Sequence, residues 1–305
     1  MASPYITPEI LINAPTGISW ETIPDFNSSP DAQLAEQVNI CWRASHWIDA
    51  YCNQPLRATE DSEEFMSPNY RITVDNYGLA RALTSRWPVT QIISGQVSSS
   101  RVAPAQWQDI PINAMYVENE LTLSAGISIE AATGPSSICI TPGYVGWWSG
   151  RRGQRVKITY INGWSHAGIT APSTLGSTQV TVDDTTGMYD QNALRGRGMW
   201  IYDGARTENV RVASVSTSTG PGVVTLTSPL LYDHNGSTQQ PVLMSALPAD
   251  VQQAAIMHAT WQALARGATA TTVQTMPGAT SSGGNAQQNI MADIKELLLP
   301  FRRIL

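Results

Sequence analysis

The sequence is poor in charged residues. Only 14% of its 305 residues are Asp, Glu, Lys or Arg, against about 25% in a typical soluble domain. Its two lysines are Lys157 and Lys295, and its formal net charge is −6. Because 42% of the residues are hydrophobic, we expect much of the surface to meet other protein. An acidic chain is not expected to bind DNA or an anionic membrane tightly.

Cysteine, targeting signals and long apolar runs are also scarce. Cys41, Cys52 and Cys139 are odd in number and lack CxxC spacing. This pattern does not indicate a disulfide framework or a zinc site. We therefore expect the three cysteines to be reduced thiols in a cytosolic protein. The first ten residues have no basic or apolar signal region, so we expect no signal peptide. No apolar run reaches the ~18 residues that would span a bilayer, and we expect no membrane partner.

Motifs for catalysis are missing. The sequence has no GxxxxGK[ST] loop, no HExxH and no GxSxG with a plausible triad. Glu118 and Glu120 lie two apart, and Asp183 and Asp184 follow a predicted strand. Paired carboxylates are what a glycosidase needs, but nothing in the sequence marks a cleft between them. We therefore predict no catalytic residue, no cofactor and no metal site, and favour a binding or structural role over an enzyme.

The strongest helix signal is Leu247–Gly267. Pro248 and Asp250 suit a first turn, and Gly267 suits the position after the last turn. The helix is apolar on more than one side, so we expect one side to pack on its own domain and the other on a neighbouring subunit. The alternative is a central helix of a single core. The residues expected at the subunit interface are Ile256, Ala259, Trp261 and Ala263.

A second helix is predicted at Ser29–Asn53, with Ser29 as its N-cap and Pro30 in its first turn. Proline-rich residues 1–29 before it indicate an extended N-terminal arm. Residues 65–165 contain short runs of β-branched residues separated by turns, which predicts strands. A basic spot within them, placed beside two tryptophans, is a possible contact for DNA or protein. Its members are Arg151, Arg152 and Arg155.

The last third of the chain divides into three parts. Residues 166–246 are rich in Thr, Ser, Gly and Val and alternate as strands, which predicts an inserted small all-β module, either a barrel or a sandwich. Residues 268–289 have no apolar pattern and indicate a flexible linker. Ile290–Leu299 predicts a terminal helix that either carries a docking tip or folds back onto the core. The candidate docking residues are Leu297, Leu298, Phe301, Arg302, Arg303, Ile304 and Leu305.

The predicted fold class is α+β, with a helical core, an enlarged β region and the inserted all-β module. Four units follow from these boundaries. They are an N-terminal arm (1–29), a helix and β core (30–165 with 247–267), the inserted module (166–246), and a linker with a docking helix (268–305).

The order of four motifs resembles one protein family. A helix ending in DAYCNQPL is followed by a β region ending in RVKITYINGW, then LPADVQQAAIMHATWQALARG, then a terminal helix ending in LLLPFRRIL. This order is similar to the head-to-tail connector (adaptor) proteins of tailed bacteriophages. The resemblance covers about half of the chain. Members of that family are usually much shorter, whereas here residues 166–246 separate the strand from the helix and the β region is enlarged.

The resemblance implies a structural virion protein, assembled in the host cytoplasm and located at the head-to-tail connector. Its subunits would form a closed ring, twelvefold in that family, around a channel through which DNA passes without sequence-specific binding. Its partners would be the portal protein, reached through the C-terminal tip, and a tail-proximal or stopper protein. Two other readings stay open: a virion decoration or receptor-binding protein with a glycan-binding β module, and a hydrolase acting through one of the carboxylate pairs.

Overall fold

The computed structural model describes residues 3–18, 20, 29–67, 71–98, 106–119, 136–145, 154–237, 242–265 and 283–303. Among these described residues, strands account for 37% and helices for 29%. The predicted α+β class with a helical core is therefore wrong, and the protein is mostly β. The described residues form three hydrophobic clusters, and two of them lie between strands.

Local sequence signals explain the helix ends. Ser29 precedes the longest helix, and its Oγ accepts a hydrogen bond from the Ala32 N–H at 3.2 Å. Asn53 ends this helix in the left-handed conformation, with φ of 55°. The helix predicted at Ser29–Asn53 is confirmed. The four α-helices of the described chain are α1 (Pro8–Asn13), α2 (Pro30–Cys52), α3 (Ala249–Ala265) and α4 (Gly283–Leu298).

The helices pack together with the N-terminal segment, which is not an extended arm. Tyr5, Ile6 and Leu11 are fully buried in the same cluster as α2 and α3. The apolar side chains before and within α1 therefore complete this chain's own core. Helix α4 begins at Gly283, inside the range predicted as a flexible linker.

Two antiparallel four-stranded sheets enclose the second cluster. Their orders are β1-β8-β4-β5 and β2-β3-β7-β6. Side chains from both sheets, among them Phe65, Tyr160 and Ile138, are buried against one another. The strands are β1 (Thr59–Ser67), β2 (Ile72–Val74), β3 (Ala80–Leu83), β4 (Val89–Ser98), β5 (Gln108–Ile110), β6 (Met115–Asn119), β7 (Ser136–Ile140) and β8 (Gln154–Asn162).

The chain from 166 to 245 forms a closed six-stranded barrel around the third cluster. The strand order is β10-β15-β14-β13-β16-β9, and closure leaves this module no open sheet edge. A two-stranded hairpin, β11–β12, packs against β14 of the barrel. The strands are β9 (His166–Ile169), β10 (Gln179–Val182), β11 (Tyr189–Asp190), β12 (Arg195–Gly196), β13 (Gly198–Tyr202), β14 (Glu208–Val215), β15 (Gly222–Leu226) and β16 (Val242–Ser245).

Two side chains, one in the turn between β11 and β12 and one directly after β12, connect the barrel to β4 through hydrogen bonds. The buried Arg197 donates from Nη2 to the Thr90 carbonyl at 2.6 Å. Asn192 donates from Nδ2 to the Ile92 carbonyl at 2.8 Å. These carbonyls are two residues apart on a stretch of β4 that β5 does not reach, since β5 pairs only with 95–97. The barrel therefore caps part of a sheet edge that would otherwise be open.

No helix in the described ranges combines enough residues with enough apolar character to cross a bilayer.

Candidate interaction face

Four rings from α2 and α3 stack in one row, which we call the aromatic ladder: Tyr51, Trp47, His258 and Trp261. Tyr51 and Trp47 lie four residues apart on α2, and His258 and Trp261 lie three apart on α3, so each pair shares a helix face. His258 is buried, whereas the other three rings are partly exposed. The ladder therefore forms part of the protein surface along the seam between the two helices.

The ladder has close ring geometry. The centroids of Trp47 and Tyr51 are 5.4 Å apart with planes inclined by 4°. Trp47 and His258 are 4.5 Å apart and inclined by 17°, and His258 and Trp261 are 5.6 Å apart and inclined by 29°. At the far end, the Arg302 guanidinium carbon lies 5.3 Å from the Tyr51 ring centre. These are stacking and cation–π distances, so the row is ordered before any partner arrives.

Burial keeps the central imidazole neutral. Loss of solvation lowers the pKa of His258 to about 4. The Gln262 side-chain amide donates to Nδ1 at 3.0 Å, so the ring proton lies on Nε2. A neutral ring between two tryptophans leaves the centre of the face without charge. Trp, Tyr and Arg with little charge at the centre are the composition of a protein–protein contact.

The residues predicted at the subunit interface differ in their exposure. Ala259 and Ala263 are fully buried inside this chain's own helical cluster, where α2 and α4 pack against α3. Ile256 and Trp261 are partly exposed, and Trp261 is the predicted interface residue that belongs to the ladder.

The C-terminal segment folds back onto its own chain, which is one of the two alternatives that the sequence left open, and two of the candidate docking residues are buried there. Leu298 is fully buried, and Phe301 is 3% exposed, with its ring edge-on to Trp164 at 5.6 Å. The Arg303 N–H donates to the Cys52 carbonyl at 2.8 Å. Arg302 is exposed and Leu297 is partly exposed. Ile304 and Leu305 lie outside the described residues.

Arg155 is the member of the predicted basic spot that lies in the described part of the chain. Its Nε donates to Glu64, and its guanidinium carbon lies 5.7 Å from the Trp107 ring centre. The charge is thus already paired with a carboxylate across two neighbouring strands, β8 and β1. Arg151 and Arg152 lie outside the described residues.

The carboxylates considered for hydrolysis have structural partners. Glu118 accepts from the Arg81 Nε at 3.0 Å and from the Cys139 thiol at 3.2 Å. Asp183 accepts from the Gly168 N–H at 2.7 Å, and Asp184 accepts from the Thr186 N–H at 2.9 Å. Glu120 lies outside the described residues. Within the described ranges, no cluster of three or more His, Cys, Asp or Glu could hold a metal ion.

One buried cluster of ionisable side chains was not predicted from the sequence. His234 is fully buried between two carboxylates, with Nδ1 2.8 Å from Asp203 and Nε2 2.9 Å from Glu208. Glu208 also accepts from the Leu231 N–H at 3.0 Å, so the cluster anchors the loop after β15 to the barrel. Because the His234 imidazole is not exposed to solvent, it cannot contact a substrate, and its role is structural. The three residues are 5 to 31 positions apart, and no short motif links them.

The remaining buried histidine joins the N-terminal segment to the barrel. His166 Nε2 donates to the Pro4 carbonyl at 2.9 Å, and Nδ1 lies 2.9 Å from the Ser245 hydroxyl. Burial lowers the pKa of His166 to about 4, which keeps this ring neutral as well.

Comparison with known proteins finds no matching family model, no similar curated protein and no similar solved structure.

Proposed function

We propose that this chain is a non-enzymatic structural subunit that associates with copies of itself through the aromatic ladder, as a ring-forming head-to-tail adaptor of a tailed bacteriophage. The observation that carries the proposal is the ladder: three partly exposed aromatic rings, stacked in a row and flanked by Arg302. The low charge of the chain and the order of its sequence motifs support the same role.

Ring closure needs two different surfaces that meet on every subunit. The ladder supplies one of them. In this proposal the ring encloses the DNA channel, and its acidic net charge lets DNA pass without adhering. The portal protein is bound by the exposed end of the C-terminal segment, Arg302 with Leu297, and not by the buried Phe301.

The measurement that tests this proposal is the mass of the purified full-length chain, alone and mixed with a portal protein. A cyclic oligomer, in solution or formed on the portal, is expected. Trp261→Arg places a charge in the ladder and should abolish the oligomer while the subunit stays folded. Trp200→Arg is the matched control, because Trp200 is 47% exposed on the barrel and lies outside the ladder.

The outcomes of these measurements distinguish a failure of assembly through the ladder from a failure of the adaptor function. An oligomer that survives Trp261→Arg, or is lost equally in Trp200→Arg, contradicts assembly through the ladder. A wild-type chain that stays monomeric both alone and with portal contradicts the adaptor function as a whole.

A further inference from the structure

A groove lies where the β11–β12 hairpin meets the two sheets. Its volume is about 540 Å³, within the ~300–1,000 Å³ range of small-molecule sites. One wall is the hairpin, and the other is formed by 90–92 of β4 and 115–117 of β6. It is far from the aromatic ladder in the chain and shares no residue with it.

The hairpin wall is held in place by its own bonds. Asp190 accepts from the Asn192 and Ala193 N–H groups at 3.0 and 3.2 Å. Asn192 in turn is bonded to β4. Leu194, at the tip, is 78% exposed and has φ of 49°, a left-handed conformation that is unfavourable for leucine. The wall is thus preformed, and it includes a strained residue.

Three polar side chains of different type line the groove. Gln91 is 6% exposed, and its amide makes no hydrogen bond with the described part of the chain. Asp190 is 8% exposed, and one of its carboxylate oxygens takes both bonds of the turn. Arg195 faces Asp190 across the hairpin and is exposed. No carboxylate of the described residues lies within ion-pair distance of Arg195.

An aromatic ring completes the groove. Tyr116 is 46% exposed on β6, and its neighbour across the strands is Cys139. An exposed ring offers an apolar face next to the amide, carboxylate and guanidinium groups.

The chemistry of the lining restricts the ligand. Asp190 disfavours phosphate and other anions, and Arg195 disfavours cations. A purely apolar ligand would remove the Gln91 amide from water without replacing its hydrogen bonds. A neutral ligand with many hydroxyl groups and one apolar face satisfies all four side chains.

We propose that this groove is a binding site for a neutral saccharide. One sugar face packs on Tyr116, and the hydroxyl groups bond to Gln91, Asp190 and Arg195. The site is independent of ring assembly, because none of these residues belongs to the ladder.

The test is titration calorimetry on the full chain with three neutral probes: maltotriose, the trimer of N-acetylglucosamine, and lactose. Binding of at least one probe is expected. Tyr116→Ala and Arg195→Ala should each weaken it by about tenfold or more. The matched controls are Tyr77→Ala and Arg211→Ala, an exposed tyrosine and an exposed arginine outside the groove, and they should bind as wild type does.

Two measurements keep the result interpretable. Thermal unfolding of each variant shows that it is folded, and Tyr116→Phe, which keeps the ring, should retain affinity. Binding by none of the three probes overturns the proposal. Equal losses in the control variants, or displacement of the sugar by inorganic phosphate, overturn it too.

Discussion

Acid should destabilise this protein through its two neutral buried histidines, His166 and His258. The pKa of each is lowered from the ordinary 6.5 to about 4 by burial. Between pH 6.5 and about pH 4, each imidazole binds a proton in the unfolded chain but stays neutral in the folded chain. Stability is therefore complete above pH 6.5 and is lost as the pH falls from 6.5 to about 4.

The expected magnitude follows from those pKa values. At pH 5 each histidine lowers the free energy of unfolding by about 2 kcal/mol relative to pH 7.5, and the two together by about 4 kcal/mol. Total stabilities of domains are about 5–15 kcal/mol, so the loss is large enough to measure directly.

The assay is urea unfolding at pH 7.5 and pH 5.0 for wild type, His166→Gln, His258→Gln and the double variant. Gln is neutral at both pH values, so each substitution should remove about half of the pH-dependent loss. The carboxylates titrate in every variant, and their contribution cancels in the differences. The reasoning is refuted if the double variant loses as much stability between the two pH values as wild type does.

Three further predictions concern stability. Phe301→Ala should lower the free energy of unfolding by about 3–5 kcal/mol in chemical denaturation, because its ring is 3% exposed against Trp164; a loss under 1 kcal/mol would mean that the tail is not docked. His234→Ala should lower it by about 3–5 kcal/mol, since the buried carboxylates of Asp203 and Glu208 would each lose their hydrogen bond to the imidazole, and an unchanged melting temperature would argue against that cluster. Leu194→Gly should raise it by about 1 kcal/mol by relieving the left-handed leucine, and a lower free energy of unfolding in this variant would contradict that reasoning.

Local signals in the sequence were enough to place the two longest helices, α2 and α3, but not α1 or the start of α4. The cap at Ser29 and the left-handed Asn53 bound α2 as expected. Four strands of the barrel also lie where alternation of apolar and polar residues predicts them, among them β14 (Glu208–Val215). These features depend on neighbours a few residues away, and a linear pattern records them.

One strand with an unusual composition was not predicted from the sequence. β1 (Thr59–Ser67) carries four acidic residues, which are depleted in strands. The structure tolerates them because Asp61 pairs with Arg86, and Glu63 is bonded to Arg71. Those partners are 25 and 8 residues away. β1 was missed for this reason.

The sequence by itself determined the positions of α2 and α3 and the alternation of 166–246 as strands. Tertiary structure alone decided that the C-terminal segment docks on its own chain, that Ala259 and Ala263 are interior, and that Trp47 meets His258. The physical reason is that burial and stacking depend on contacts between distant segments. The bond from the Arg303 N–H to the Cys52 carbonyl joins residues 251 positions apart in the chain. No local pattern of apolar residues specifies which surface a helix or tail will cover.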